Sequence, residues 1–493
     1  MEPLKVCIVS AEIMPFAKTG GLSDVVGALL REFAQLGHDV RAFMPLYASV
    51  RKEYPAMGAV LGVQNVGLTI GNRRYAFSLR TADLPGTKIA VHFIDCPELF
   101  DRPWIYTRDP DEHRRFLLFT RAAVESCLRL GFAPDIFHCH DWHTGFLPLF
   151  LKTLYAPVPL FAGSRSVLTV HNIGYQGVVS RDFIEDLGLP DAERLLDPGD
   201  LQQGVINPLK TGLKFADTVT TVSPTYAREI TETSLGFGLE ATLRARANPV
   251  IGILNGVDYR EWDPRHDKYL TANFSPEDLS GKSIDKRTLL GEAGLDRSPD
   301  RPLIGMVTRL ASQKGIDLLV DSLPNVLERR DFGLVVLGSG EERYVLFLES
   351  LAARHPRRVA FHSAHDERFA HWIEAGSDIF LMPSQYEPCG LNQMYSLRYG
   401  TIPIVRRTGG LADSVRHFDP STGEGTGCVF NDYDAPAVEW ALNTTLDWFA
   451  RPPIWQRLVD NAMREDFSWA LQVGRYVEVF RATLAQPVRR SNA

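Results

Sequence analysis

Apolar positions along the chain fall into short continuous runs, and between them lie stretches whose apolar residues recur at helical spacing. Leu4 to Ser10 is the first run, followed by a loop from Ala11 to Gly21 and then by Leu22, Val25, Val26, Leu29, Leu30, Phe33 and Leu36. A recurrence of about 3.6 residues predicts a helix, which Gly37 stops before the next strand, Asp39 to Met44. This is a βαβ unit with a glycine loop at the mouth of its helix. Val60 to Phe93 alternates apolar and polar residues, which predicts strands joined by hairpins, one turning at Gly71-Asn72. His113 to Leu130 follows as a predicted helix. Asp135 to His140, Ser166 to His171, Asp217 to Val222 and Val250 to Leu254 are predicted strands.

The polar, proline-containing run from Asp258 to Pro302 predicts a connection between domains. After it the alternation restarts. Strands are predicted at Leu303 to Thr308, Gly333 to Leu337, Val359 to His362, Asp378 to Pro383 and Ile402 to Arg406. Helices are predicted at Ile316 to Arg330, Glu341 to Arg354, Glu367 to Ala375, Leu391 to Tyr399 and Ala435 to Phe449. The expected fold is therefore α/β, two doubly wound Rossmann-like domains facing a deep cleft. The first is expected over residues 1–258 and the second over 259–465. A last helix, about 466–493, carries the apolar stripe Trp469, Val473, Tyr476, Val477, Phe480 and reads as a strap on the first domain. An internal echo supports two related halves: Lys18-Thr19-Gly20-Gly21-Leu22 and Arg407-Thr408-Gly409-Gly410-Leu411 each precede a helix.

Composition narrows the function classes. A chain of 493 residues exceeds one ordinary domain, and 45% hydrophobic with 23% charged residues describes a globular protein. A net charge of −7 without any basic run removes nucleic acid as an expected partner. Six cysteines, at 7, 96, 127, 139, 389 and 428, show neither metal-ligand pairing nor disulfide-framework density. The N-terminal stretch has no signal-peptide core, and no apolar run approaches the roughly 20 residues needed to cross a bilayer. A reduced, cytoplasmic compartment and no membrane partner are expected.

Candidate chemistry gathers at strand ends. Glu387 lies in the turn Ser384 to Gln393, between a predicted buried strand and a helix, followed by Pro388 and by Gly390 at the helix mouth. Such turns lie at the carboxyl edge of an open α/β sheet, where ligands bind and helix amides are unpaired. A glutamate that merely starts a helix is the structural alternative. Lys18 and the Gly20-Gly21 loop suit phosphate, as do Arg309 and Lys314, cations at a strand end and a helix start. Together they could stabilise a diphosphate leaving group. The Rossmann GxGxxG is absent, which disfavours nicotinamide and flavin, as are GxSxG, GxxxxGK[ST] and HExxH. Asp141-Trp142-His143 and His171-Asn172-Ile173-Gly174-Tyr175 end two strands with aromatic and polar groups, which suit the apolar face and polar rim of a sugar. In His138-Cys139-His140 the two histidines share one strand face and Cys139 the other, so no metal site is expected.

In this order the motifs resemble the bacterial glycogen synthases and the related plant starch synthases, retaining glucosyltransferases of GT-B architecture. The likeness covers nearly the whole chain, from Lys18-Thr19-Gly20-Gly21-Leu22 through His140-Asp141-Trp142, His171-Asn172-Ile173 and Asn255-Gly256-Val257-Asp258 to Arg309 to Gly315, Glu387-Pro388-Cys389-Gly390-Leu391 and Thr408-Gly409-Gly410-Leu411. The resemblance implies ADP-glucose as donor and the non-reducing end of an α-1,4-glucan (glycogen or maltooligosaccharides) as acceptor, with no cofactor beyond the co-substrate. It makes Glu387 the catalytic glutamate and places Arg309, Lys314, Lys18, Gly20 and Gly21 around the donor phosphates. It also places Cys389, Gly390 and Leu391 at the donor sugar, and Asp141, His171 and Tyr106 near the transferred glucose and acceptor. Asn255, Asn392, Thr408, Gly409 and Gly410 join the substrate-binding set. Asn392 departs from the threonine usual in the bacterial enzymes. Tyr395 stands where wider GT-B families often carry a second acid. A UDP-glucose enzyme, a synthase extending maltose phosphate and a non-catalytic glucan-binding scaffold stay open as rivals.

Overall fold

Residues 2–487 are described by a computed structural model. The chain divides into two compact units. One holds the chain through Val222, Ala227–Ile253 and the chain from Trp469 onward; the other holds Ser223–Tyr226 and Leu254–Ser468.

In the first unit, strand Lys5–Val9 is buried at every residue after Lys5, because both of its neighbours are parallel strands, Asp39–Pro45 and Ile136–His140. The sheet continues through Arg165–Val170, Thr218–Thr221 and Ile251–Gly252 on one side and Ala90–Asp95 on the other. Beyond Ala90–Asp95 the pairing turns antiparallel, where Arg73–Asp83 and Val66–Ile70 form the hairpin predicted at Gly71-Asn72. Helix Gly21–Gln35 buries Val25, Val26, Leu29, Leu30 and Phe33, the predicted face. The last helix is Trp469–Leu484. It packs here, with Phe480 5.4 Å from Phe33 between ring centroids and Thr483 bonded to Thr218 at 2.8 Å. The end of the strap expected to about 493 lies outside the described residues.

The second unit has six parallel strands, ordered Val359–His362, Gly333–Leu337, Leu303–Val307, Ile379–Met382, Ile402–Arg406, Cys428–Phe430. Numbered in chain order this is 3-2-1-4-5-6, a doubly wound sheet whose order reverses between Leu303–Val307 and Ile379–Met382.

Two expectations are corrected. The run from Asp258 to Pro302 is not a simple connection, for it contains helix Ser280–Glu292, packed into the second unit. Its buried face includes Asp285 and Lys286 as well as Leu289, and Lys286 meets Asp378 at 2.6 Å. Polar residues on a buried face hide the helical period from a reading of apolar positions. Ala435–Phe449 is not the last helix before the strap either, since helix Pro452–Met463 follows it.

Candidate active site

Each unit brings polar residues to the point where its strand order reverses. In the second unit this point lies between Leu303–Val307 and Ile379–Met382, and the two following loops are laced together. Gln385 N–H donates to Gln313 O at 2.9 Å, and Gly315, at φ +73°, lies so close to Pro383 that an added Cβ would stand 2.1 Å from its carbonyl oxygen. Only glycine combines that backbone angle with that approach. Lys314 is thereby delivered to Glu387, its ammonium 2.5 Å from Oε2. Ser384 Oγ donates to the same oxygen at 3.1 Å. Glu387 is 6% exposed, so a charged, partly buried pair stands at this sheet edge. Arg309 is exposed and donates to Gln313 Oε1 at 3.3 Å.

The Thr408–Leu411 turn packs against the Glu387 turn. Gly410 N–H donates to Glu387 O at 3.1 Å, and a Cβ on Gly409 would come within 1.9 Å of that oxygen. Cys389 is buried, which pushes its thiol well up, while the Asn255 backbone N–H opposes the shift. Asn255 is itself buried, and its Oδ1 has no partner among the described residues. Asn392 spends its amide on Val307 O at 3.0 Å, and Gln393 holds Cys389 O and Gly390 O, each at 3.1 Å. The Glu387 turn is therefore fixed from three sides.

In the first unit the order reverses between Lys5–Val9 and Ile136–His140. Asp141, just past the second strand, holds φ +56° and accepts from the His171 backbone N–H at 2.7 Å. Burial is the main force that pushes its carboxyl up to about 7; the amides of His171 and Asn172 oppose this and the Glu12 charge adds to it. His171 is driven down to about 3 by burial, so it is neutral at pH 7, and its Nε2 lies 3.0 Å from His140 Nδ1. Tyr106 stacks on His143, 4.8 Å between ring centroids, and its phenol is held up by burial and then by the Glu12 charge.

Glu12 is the functional residue that sequence reasoning missed. Its buried carboxylate accepts from Thr19 N–H at 2.5 Å, Thr19 Oγ1 at 2.6 Å and Tyr106 OH at 2.5 Å, so it fixes the loop before Gly20 to the Tyr106 loop. The available signal was that Glu12 is the single acid between Ala11 and Gly21. Lys18 is not drawn into this group; its ammonium pairs with Asp24 at 2.8 Å on the surface. His138 and His140 do share a face, 4.1 Å apart between rings, and both are buried and pushed towards neutrality. Trp142 packs beneath Gly177, where a Cβ would meet its ring at 2.1 Å, and Tyr175 is exposed.

Two mainly parallel sheets, each with hydrogen-bonding groups at its switch point and one with an acid held by a lysine, define a two-domain α/β protein of the nucleotide-binding, doubly wound class. Residues 5–245 match the starch synthase catalytic domain family, and residues 293–448 match glycosyl transferases group 1. The chain is 43% identical to a glycogen synthase of Koribacter versatilis over 97% of this chain and 98% of that one. It is 42% identical to glycogen synthase 1 of Geobacter sulfurreducens over 97% and 96%. The catalytic domain of starch synthase IV from Arabidopsis thaliana, solved with ADP and acarbose, superposes with a TM-score of 0.89 at 35% identity, covering 98% of this chain and all of that one. A sucrose-phosphate synthase from Thermosynechococcus elongatus, at 17% identity and TM-score 0.61, shares the fold. The chain belongs to the glycogen and starch synthase family, and it is a glucosyltransferase of GT-B fold. Among the described residues no helix is long and apolar enough to cross a membrane.

Proposed function

We propose that this chain elongates an α-1,4-glucan, moving glucose from ADP-glucose to the non-reducing 4-OH with retention of configuration. The observation that carries the reading is the Lys314–Glu387 pair at the switch point of the second sheet, with Arg309 on the same loop as Lys314. Arg309 and Lys314 neutralise charge on the departing ADP, and Lys18 with the Gly20 and Gly21 amides adds to the phosphate set. Glu387 favours positive charge developing at the anomeric carbon and orients the sugar. Cys389, Gly390 and Leu391 border that sugar by their backbone, and the unpartnered Asn255 Oδ1 supplies an acceptor for a hydroxyl. Asn392, Thr408, Gly409 and Gly410 shape the same turn. Asp141, neutral His171 and Tyr106 hold the transferred glucose and the acceptor by hydrogen bonds.

The acceptor O4 attacks the anomeric carbon on the face that ADP leaves. Its proton passes to the leaving phosphate oxygen, and the α configuration is kept without a protein nucleophile. No cofactor beyond the co-substrate is called on. A cytoplasmic location belongs to the same reading, supported by six buried free cysteines. The test is ADP release on mixing the protein with ADP-glucose and glycogen, with UDP-glucose as the parallel donor. Faster release from ADP-glucose, with 4-linked label on the glucan, is expected. Glucan binding without nucleotide release would overturn the assignment in favour of a scaffold.

A further inference from the structure

In the second unit, helix Glu367–Gly376 carries Glu367 and His371 four residues apart, on one face. Glu261, from the segment where the chain enters this unit, reaches the same place: one ligand atom from each of the three lies within 4.8 Å of the others. His371 is fully buried. Its Nδ1 is held by Asp267 Oδ2 at 2.6 Å, and its Nε2 has no partner among the described residues. A buried imidazole nitrogen without a partner is costly, and a metal ion relieves the cost.

The surroundings fix that ring. Trp262 stacks flat on His371, 3.7 Å between ring centroids and 11° between planes, and Tyr395 stacks on Trp262 at 4.0 Å. Tyr399 OH donates to the same Asp267 oxygen at 2.5 Å. An aspartate on one imidazole nitrogen, setting the tautomer so that the other nitrogen can ligate, is the outer-shell arrangement of histidine metal sites.

We propose that Glu261, Glu367 and His371 form a zinc site, with solvent completing the coordination. One imidazole and two carboxylates suit zinc better than magnesium or calcium, which favour all-oxygen shells. Tetrahedral zinc wants its ligand atoms about 3.3 Å apart. The three atoms lie within 4.8 Å of one another, and Glu367 is an exposed side chain that can draw in. Bound zinc would tie the entering segment to the helix through residues that have no part in the proposed sugar transfer.

The test uses tag-free full-length protein stripped with a chelator and titrated with zinc chloride by calorimetry. One zinc per chain is expected, bound at least tenfold tighter than manganese, with a raised Tm. Glu261→Gln and Glu367→Gln, both outside the buried core, should each weaken zinc at least tenfold while the protein stays folded by circular dichroism. Cobalt in place of zinc should give weak visible bands without thiolate charge transfer. No binding, unchanged affinity in both variants, a thiolate band, or magnesium binding as tightly as zinc would each overturn the site.

Discussion

Glu387 and Asp141 show how one side-chain type acquires two characters from its surroundings. Glu387 is met by an ammonium and a hydroxyl, whereas Asp141 is buried beside His171 with only backbone amides to hold its charge. Glu387→Gln keeps the shape and removes the charge. It should lower kcat for ADP release by about 10²–10³, the usual scale for losing one electrostatic contact to a transition state, with a KM for ADP-glucose within a few-fold of wild type. Wild-type turnover would remove Glu387 from its role. Asp141 behaves differently. An acid whose folded pKa, about 7, lies above its unfolded value of ~3.9 binds an extra proton when folded. Its contribution to stability therefore falls as pH rises from about 4 to about 7, then levels off. Asp141→Asn should gain in stability relative to wild type across that window, by at most about 4 kcal/mol above pH 7 and by little below pH 4, with Tm rising accordingly. Thermal melts at pH 4, 6 and 8 check it, and a difference independent of pH would contradict the assigned burial. Residue types at these positions were legible in the sequence; their partners were not. Lys314 and Glu387 are distant in the chain, and Glu12 carried no motif at all.

The elements were read well where period and burial agree, as in helix Gly21–Gln35 and the hairpin at Gly71-Asn72. They were missed where a buried face is polar, as in helix Ser280–Glu292, whose Lys282 donates to Ala375 O at 2.8 Å and Thr401 Oγ1 at 2.7 Å. Glycines at loop–helix junctions split into two kinds that sequence cannot separate. Gly315 has φ +73° and no room for a Cβ, so Gly315→Ala should cost about 1–3 kcal/mol and also slow transfer by shifting Lys314. Gly20 is extended, at φ −163°, and open space surrounds its missing Cβ. Gly20→Ala should leave stability within about 0.5 kcal/mol while raising KM for ADP-glucose, because a methyl group would stand where phosphate approaches. Melting curves beside donor titrations distinguish the two; an unchanged KM would take Gly20 out of the phosphate set.

At the scale of the molecule, the last helix belongs to the first unit although the whole second unit precedes it in sequence. It buries Trp469, Val473, Tyr476 and Phe480, each worth roughly 1.5–3 kcal/mol. Their sum matches the ~5–15 kcal/mol by which a whole domain is stable. Ending the chain at Ser468 should therefore loosen the first unit while the second stays folded, seen as selective cleavage of the first in limited proteolysis; uniform resistance would refute this. The sequence by itself determined the main strands and the helices with an apolar face, the two mainly parallel sheets and the chemical groups at their edges, because period, glycine stops and motif spacing act over a few residues. Tertiary structure alone decided the pairings. Crossover connections make the first and fourth strands of the second sheet neighbours, so Lys314 meets Glu387 across a gap in the chain that no local pattern spans. The same holds for Glu12 under Tyr106 and for Glu261 beside His371. A buried polar atom must find its partner in space, and chain order does not say where that partner lies.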